Sequence, residues 1–175
     1  MNLNPLAASI YEVIEDKGFH DIGHSQVESV TFRQLLHLVT EWAEMMALKH
    51  AMTYKTGDEP AGALLGRFYE EGADILIVAL DLAAMHRLDM GRVPLERPYY
   101  GPLDHLFSLV PQLIGTIGDG YRKERSIDRD KLVELVRVVS ELLRRHGGDA
   151  LKEVERKMGK NKARPRRYGT AEVTE

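Results

Sequence analysis

The stretch that decides the fold is GADILIVALDLAAMHRLDM, residues 72–90. Between Ala73 and Ala84 it is apolar on most sides of a helix, and the alternation of apolar and polar residues that indicates a strand is absent. A helix that is apolar on most sides has to be surrounded by other elements. The sequence therefore predicts a central buried helix, which we expect to span about 63–87.

Segments with helical periodicity lie on both sides of this central helix. The predicted helices cover about 4–18, 31–50, 63–87, 104–117, 130–146 and 149–162. Asn4 is the expected cap of the first helix, with Pro5 in its first turn, and Thr31 with Gln34 is a possible capping box for the second. The predicted fold class is thus all-α, a bundle of about six helices, with a loose polar tail at 170–175.

Composition narrows the function classes. The chain has 175 residues, which suits a single domain, and it has no cysteine, which excludes disulfides, thiolate nucleophiles and cysteine-ligated metals. The longest apolar run, 75–80, is far shorter than the roughly 20 residues that span a bilayer, and the amino terminus lacks a secretory signal pattern. We expect a cytoplasmic protein that does not contact membranes.

Charge is distributed unevenly along the chain. The formal net charge is −3, yet residues 152–168 contain eight Lys or Arg and two acidic residues. A basic segment at 152–168 in an otherwise acidic chain predicts a site for phosphates, either those of nucleic acid or those of a nucleotide.

Four acidic residues form two pairs at helical spacing. Glu41 and Glu44 are three residues apart in the second predicted helix, and Glu71 and Asp74 have the same spacing in the third. If the two helices pack antiparallel, all four carboxylates can face one cleft, where their repulsion requires a cation. Oxygen ligands favour Mg²⁺ or Mn²⁺ over zinc. The alternative is that these acids are solvated, as most glutamate pairs on helices are.

A weak internal repeat is also visible. Residues 72–90 align with 132–150 at an offset of 60, and the second helix aligns with the fourth at an offset of 71. In this alignment the second half has Gln112, Gly115, Lys131 and Glu134 where the first half has the four acids, so three carboxylates are replaced. The alternative explanation is that any two amphipathic helices align this well.

Four segments carry a resemblance to a known family. The two acidic pairs, KGFHD at 17–21 and KMGKNKARPRRYG at 157–169 resemble the MazG-like, all-α nucleoside triphosphate pyrophosphohydrolases, a superfamily that includes the dimeric dUTPases. The resemblance implies one MazG-like domain, with a metal-binding half at 3–90 and a degenerate half at 104–169 that ends in the basic segment. It also implies that the chain assembles as a homodimer, or that the repeat makes one chain a pseudo-dimer.

The resemblance assigns roles to individual residues. It implies that Mg²⁺, or Mn²⁺, is bound by Glu41, Glu44, Glu71 and Asp74, any one of which could act as the base. It implies that Lys157, Asn161 and Arg164 contact the substrate. The reaction would convert a nucleoside triphosphate and water into the monophosphate and pyrophosphate, in nucleotide-pool housecleaning. Base preference, metal count, and whether the basic segment acts in cis or in trans stay open.

Two other function classes are compatible with the sequence. One is a non-catalytic regulatory or nucleic-acid-binding module that uses the basic segment 152–168, although the resemblance favours a nucleotide over nucleic acid as the partner. The other is an inactive helical scaffold.

Individual residues also have open interpretations. His20 and His24 flank Asp21, and this set is read either as local packing, as a base-stacking position or as a histidine–aspartate hydrolase motif. Trp42 suits either the core or the wall of a nucleotide pocket. Asp81 lies two turns after Asp74 and is interpreted as a supporting acid, a repeat contact or an exposed residue.

Overall fold

The computed structural model describes residues 1–20, 27–56 and 58–165, and these residues form six α-helices and no β-strand. The helices are α1 (Asn4–Asp16), α2 (Val27–Tyr54), α3 (Ala61–Met85), α4 (Leu103–Glu124), α5 (Arg129–Arg145) and α6 (Ala150–Ala163). The predicted all-α class is confirmed. Asp21, His24, Arg166, Arg167 and the predicted tail at 170–175 lie outside the described residues.

The central position of α3 is also confirmed. It contacts α1, α2, α5 and α6, and every residue from Ile75 to Ala83 is buried. Helices α4 and α5 form a second hairpin, and α4 also packs on α2. A glycine permits the close approach of α3 to α5, because a Cβ on Gly72 would lie 2.6 Å from Leu143 Cδ2.

The predicted cap of α1 is wrong. Asn4 is the first residue of the helix, and its side chain makes no cap. Its Oδ1 instead accepts a hydrogen bond from Met90 N at 2.6 Å, and its Nδ2 donates to Asp89 Oδ1 at 2.8 Å. Asn4 therefore ties the start of the chain to the turn after α3. The predicted position of Pro5 in the first turn is confirmed.

The predicted capping box of α2 is wrong as well. The helix begins at Val27, so Thr31 and Gln34 lie inside it and are buried. The Thr31 hydroxyl donates to Val27 O at 2.7 Å, a bond to the preceding turn that keeps a threonine satisfied within a helix. The Gln34 side chain donates a hydrogen bond to Asp81 of α3.

Helix α4 is longer than predicted. It passes through Pro111 and continues beyond Ile117 to Glu124. Its buried face includes Ile114, Ile117 and Tyr121, and this packing outweighs the low helix propensity of the glycines between them.

The internal repeat stays a prediction. Helix α2 contacts α3 and α4, and α5 contacts the same two helices. This arrangement agrees with two related hairpins, α2–α3 and α4–α5. Four-helix bundles in general have this arrangement, so it does not distinguish a repeat. Within the described ranges, no helix combines the length and the apolar composition needed to cross a membrane.

Candidate metal and phosphate site

The α2–α3 hairpin brings three of the four predicted carboxylates together. Glu41, Glu44 and Glu71 each place a ligand atom within 4.8 Å of those of the other two. Glu41 is buried, Glu71 is half-buried and Glu44 is exposed. Three carboxylates at this separation repel one another unless a proton or a cation lies between them. Their oxygen atoms could together hold a metal ion that prefers oxygen ligands.

Asp74 has a different partner in this structure. Its carboxylate forms an ion pair with Lys157, and both side chains are largely buried. The predicted fourth ligand is thus neutralised by a cation from α6. Asp74 nevertheless lines the same cavity as Glu41, and its role as a metal ligand stays a prediction.

Burial and mutual repulsion change the protonation of the cluster. Burial, a hydrogen bond with Glu41 and the nearby negative charges raise the pKa of Glu71 to about 7. Burial also raises the pKa of Asp74 to about 6, against the opposing effect of Lys157. At neutral pH, part of the cluster therefore carries a proton that a metal ion would displace.

His37 belongs to this site and was missed by the sequence analysis. Its Nε2 lies 2.6 Å from Glu41 Oε1, one helical turn away on α2. The hydrogen bond to Glu41 raises the pKa of His37. Burial opposes ionisation of Glu41, but the bond from His37 and its charge leave the pKa of Glu41 below its ordinary value. The spacing of four residues was the available signal.

The predicted substrate residues lie together on one face of the carboxyl-terminal region. Lys157 and Asn161 are one turn apart on α6, and Arg164 follows directly after the helix. All three line the same cavity as Glu41 and Asp74. The described part of the basic segment packs against α3 of its own chain.

Glu70 fixes α6 in this position and was also missed. Its Oε1 accepts from Lys160 Nζ at 2.6 Å and from Arg156 Nη1 at 3.0 Å, and Lys157 Nζ lies 4.0 Å from its Oε2. The hydrogen bond from Lys160, followed by that from Arg156, lowers the pKa of Glu70 to about 2. Glu70 is therefore ionised at neutral pH and attaches α6 to α3 beside the carboxylate cluster.

The cavity has an apolar part and a charged part. It has a volume of about 210 Å³, and its apolar side chains come from α1, from the residues after α1 and from α3. These are Val13, Ile14, Phe19, Ile77 and Val78, and the polar residues are Lys17, Gln34, His37, Glu41, Asp74, Lys157, Asn161 and Arg164. Such a lining can hold a planar apolar group beside a negatively charged, metal-associated one.

The structure also decides between several open interpretations. Trp42 does not line the cavity, and it packs against Phe107 with ring centroids 5.7 Å apart, so its assignment to the core is confirmed. Asp81 is completely buried, which excludes an exposed position. Its Oδ2 lies 3.0 Å from His20 Nε2, and His20 packs against Tyr11 outside the cavity lining, as the local-packing interpretation predicts.

Comparisons of the chain with protein-family models, with curated proteins and with solved structures give no match. By fold and site, the described part of the chain is an all-α bundle with a partly buried carboxylate cluster. This cluster adjoins a cavity that is lined on one side by basic residues.

Proposed function

We propose that the protein is a nucleoside triphosphate pyrophosphohydrolase that depends on Mg²⁺ or Mn²⁺ and converts a nucleoside triphosphate and water into the monophosphate and pyrophosphate. The observation that carries the proposal is the cavity in which Glu41, Asp74, Lys157 and Arg164 meet beside an apolar wall. A nucleotide bound to a metal ion has the matching features, namely a divalent cation, a chain of phosphates and a planar base.

The carboxylates supply the metal-binding capacity. Glu41, Glu44 and Glu71 would hold the ion, and Asp74 would join them where Lys157 releases it. A divalent cation bound there would offset phosphate charge and lower the pKa of a water molecule. The histidine bonded to Glu41 orients that carboxylate within the cluster.

Side chains of the protein would assist the attack of water and the departure of pyrophosphate. The water oxygen forms a bond to the α-phosphorus, and the bond from that phosphorus to the oxygen bridging the β-phosphate breaks. A carboxylate of the cluster accepts the proton of the water, and any of Glu41, Glu44, Glu71 and Asp74 could take this role. Lys157 and Arg164 would stabilise charge on the departing pyrophosphate.

The test is incubation of the protein with Mg²⁺ and a panel of nucleoside triphosphates, with separate assays for pyrophosphate and orthophosphate. We expect pyrophosphate, and we expect its release to collapse in Glu44→Gln and Asp74→Asn variants of unchanged circular dichroism. Lys157→Ala should weaken nucleotide affinity without weakening metal binding, because it frees Asp74 to join the other ligands. Glu155→Gln, a change to an exposed glutamate on α6, is the matched control. Full activity in both acidic-site variants would refute the site.

The alternative of a nucleic-acid-binding module is less well supported by the contacts of the basic segment. Four of its basic side chains are paired with acids of the same chain, namely Lys152, Arg156, Lys157 and Lys160. Salt-sensitive binding of RNA or DNA without any turnover would favour this alternative over the enzyme.

Assembly as a homodimer in the cytoplasm is part of the same proposal. An apolar groove between α2 and α4 supports it, with Leu36 and Val39 on one side and Pro111 and Gly115 on the other. The Leu36 and Val39 side chains are 66% and 48% exposed. Light scattering should give twice the mass of the chain, and Leu36→Glu should convert the dimer into monomers.

A further inference from the structure

A chain of buried polar groups connects the cavity with the interior of the bundle. Asp81 on α3 is completely buried, and its Oδ2 lies 3.0 Å from His20 Nε2 and 2.5 Å from Gln34 Nε2. Gln34 lines the cavity, whereas Asp81 and His20 do not. Nothing in the proposed hydrolysis uses this chain of three groups.

The chain lies at a different depth from the carboxylate cluster. Gln34 precedes Glu41 by seven residues on α2, and Asp81 follows Asp74 by seven residues on α3, so both pairs keep the same helix faces. Seven residues of an α-helix correspond to a rise of about 10 Å. The phosphate-binding end and the Gln34 end are therefore two levels of one hairpin, with apolar wall residues such as Ile77 and Val78 between them.

The contact with Asp81 fixes the orientation of the Gln34 amide. A carboxylate oxygen that faces two nitrogen atoms accepts hydrogen bonds from both, so the amide nitrogen of Gln34 has to point to Asp81. The carbonyl oxygen, Oε1, is then left for the cavity. Among the described residues, no side chain donates a hydrogen bond to it.

A second unpaired acceptor lines the same cavity. Asn161 Oδ1 is buried and has no hydrogen-bond partner within the described part of the chain. The two amide side chains of the cavity thus offer acceptors beside apolar residues such as Ile77 and Val78, and the cationic or polar side chains of Lys17 and His37 line the same cavity. A ligand gains most here by presenting N–H or O–H donors, because a buried acceptor without a donor is costly.

Nucleobases differ in what they offer to such a site. Cytosine carries an amino group at position 4 and adenine carries one at position 6, whereas thymine and guanine have carbonyl oxygens there, as do uracil and hypoxanthine. A carbonyl facing Gln34 Oε1 would bring two acceptors together. Uracil, thymine and hypoxanthine also have a ring N–H, but it adjoins this carbonyl, so a base that donates the ring N–H to Gln34 Oε1 still places a second acceptor close to that oxygen.

We infer that the cavity selects nucleoside triphosphates whose base carries the 4-amino group of a pyrimidine or the 6-amino group of a purine, with Gln34 Oε1 as the acceptor. The inference rests on the proposed function and names its substrate class. In this arrangement Asp81 is a positioning residue, since it acts on the base only through the Gln34 amide.

The first test compares substrates that differ only at this group. If the cavity accepts pyrimidines, we expect kcat/KM to be at least about tenfold higher for dCTP than for dUTP. If it accepts purines, we expect the same ratio for dATP over dITP. Equal values within both pairs, or higher values for the carbonyl bases, would overturn the inference and leave the proposed function standing. If the protein neither hydrolyses any of these four nucleotides nor binds their non-hydrolysable analogues, both the inference and the proposed function are overturned.

The second test changes the orientation of the amide. Asn at position 81 offers a donor as well as an acceptor, so Asp81→Asn allows the Gln34 amide to turn, and the preference for dCTP over dUTP should shrink to less than about threefold. Mn²⁺ affinity should stay unchanged. Thr31→Val is the matched control, because it alters a part-buried contact between α2 and His86, the residue directly after α3, and should leave the preference intact.

A third variant keeps the inference testable if Asp81→Asn fails to fold. Gln34→Leu retains the size of the side chain and removes the acceptor, so it should also abolish the preference without weakening Mn²⁺ binding. Retention of the full preference in a folded Gln34→Leu protein would overturn the inference.

Discussion

The metal-free protein should lose stability as the pH rises through neutrality. Glu71 has a pKa of about 7 in the folded chain, compared with an ordinary value of 4.5. The folded state therefore binds this proton more tightly than the unfolded state, and the resulting stability is complete below about pH 4.5 and is lost as the pH rises through 7. The raised pKa values of Asp74 and His37 act in the same direction.

The magnitude follows from the size of the shift. A change from 4.5 to about 7 corresponds to roughly 3 kcal/mol of unfolding free energy, which solvent around this half-buried side chain reduces to about 1–2 kcal/mol. For a chain of 175 residues this equals a fall in Tm of about 2–8 °C. His86 acts in the opposite direction, since burial lowers its pKa, but only below its ordinary value of 6.5. The whole loss accumulates from about pH 4.5 to 8; the part between pH 6.5 and 8, about 0.3–0.5 kcal/mol from Glu71, is free of the contribution of His86 and reports on the cluster.

The assay is urea unfolding and thermal unfolding in EDTA at several pH values in this interval, repeated with Mn²⁺. Glu71→Gln should flatten the pH dependence and make the metal-free protein about 1–2 kcal/mol more stable at pH 8, because it removes a repelled charge. The same variant should lose most of the stabilisation by Mn²⁺. Metal-free stability that is constant or rises from pH 6.5 to 8 would refute the reasoning, as would an unchanged slope in Glu71→Gln.

Two further changes test the elements that hold the site. Glu70→Gln should lower the unfolding free energy at pH 7 by about 1–2 kcal/mol and raise KM, while Mn²⁺ affinity stays unchanged. The loss of unfolding free energy should vanish as the pH falls towards 2, the pKa of Glu70. Asp119→Asn, which removes an acid paired with two cations on α4, is its control and should not affect KM. Gly72→Ala should cost about 1–2 kcal/mol in urea unfolding, because the clash of its Cβ with the Leu143 side chain outweighs a gain of about 1 kcal/mol in helix propensity, and this cost should disappear when it is measured in a Leu143→Ala background. An unchanged KM in Glu70→Gln or an unchanged stability in Gly72→Ala would contradict these expectations.

Most of the fold was predictable from the sequence because it depends on local patterns. The all-apolar surface of 73–84 defines α3, and the ends of α3, α5 and α6 lie within two residues of those predicted. The errors occurred where a distant part of the chain decides the outcome. Asn4 looks like a cap, but its amide is used by the turn at Asp89 and Met90. The end of α4 depends on packing that its glycines do not reveal.

The site was predictable to the extent that its residues are close in sequence. Glu41, Glu44 and Glu71 were found from helical spacing, and the structure brings them together. His37 was within reach of the same argument. Glu70 was not, because its partners Arg156 and Lys160 lie 86 and 90 residues further along the chain. No local pattern indicates which lysine will meet which acid.

Three of the four acids of α3 share a property that connects the fold with the proposed function. Glu70, Asp74 and Asp81 each meet a basic side chain from another element, the first two from α6 and the third from the residues after α1. A buried acid with such a partner seldom adds net stability, since desolvation offsets the attraction. The three acids are explained instead by what they position around one cavity: the basic face of α6 at its charged end and the Gln34 amide at its apolar end.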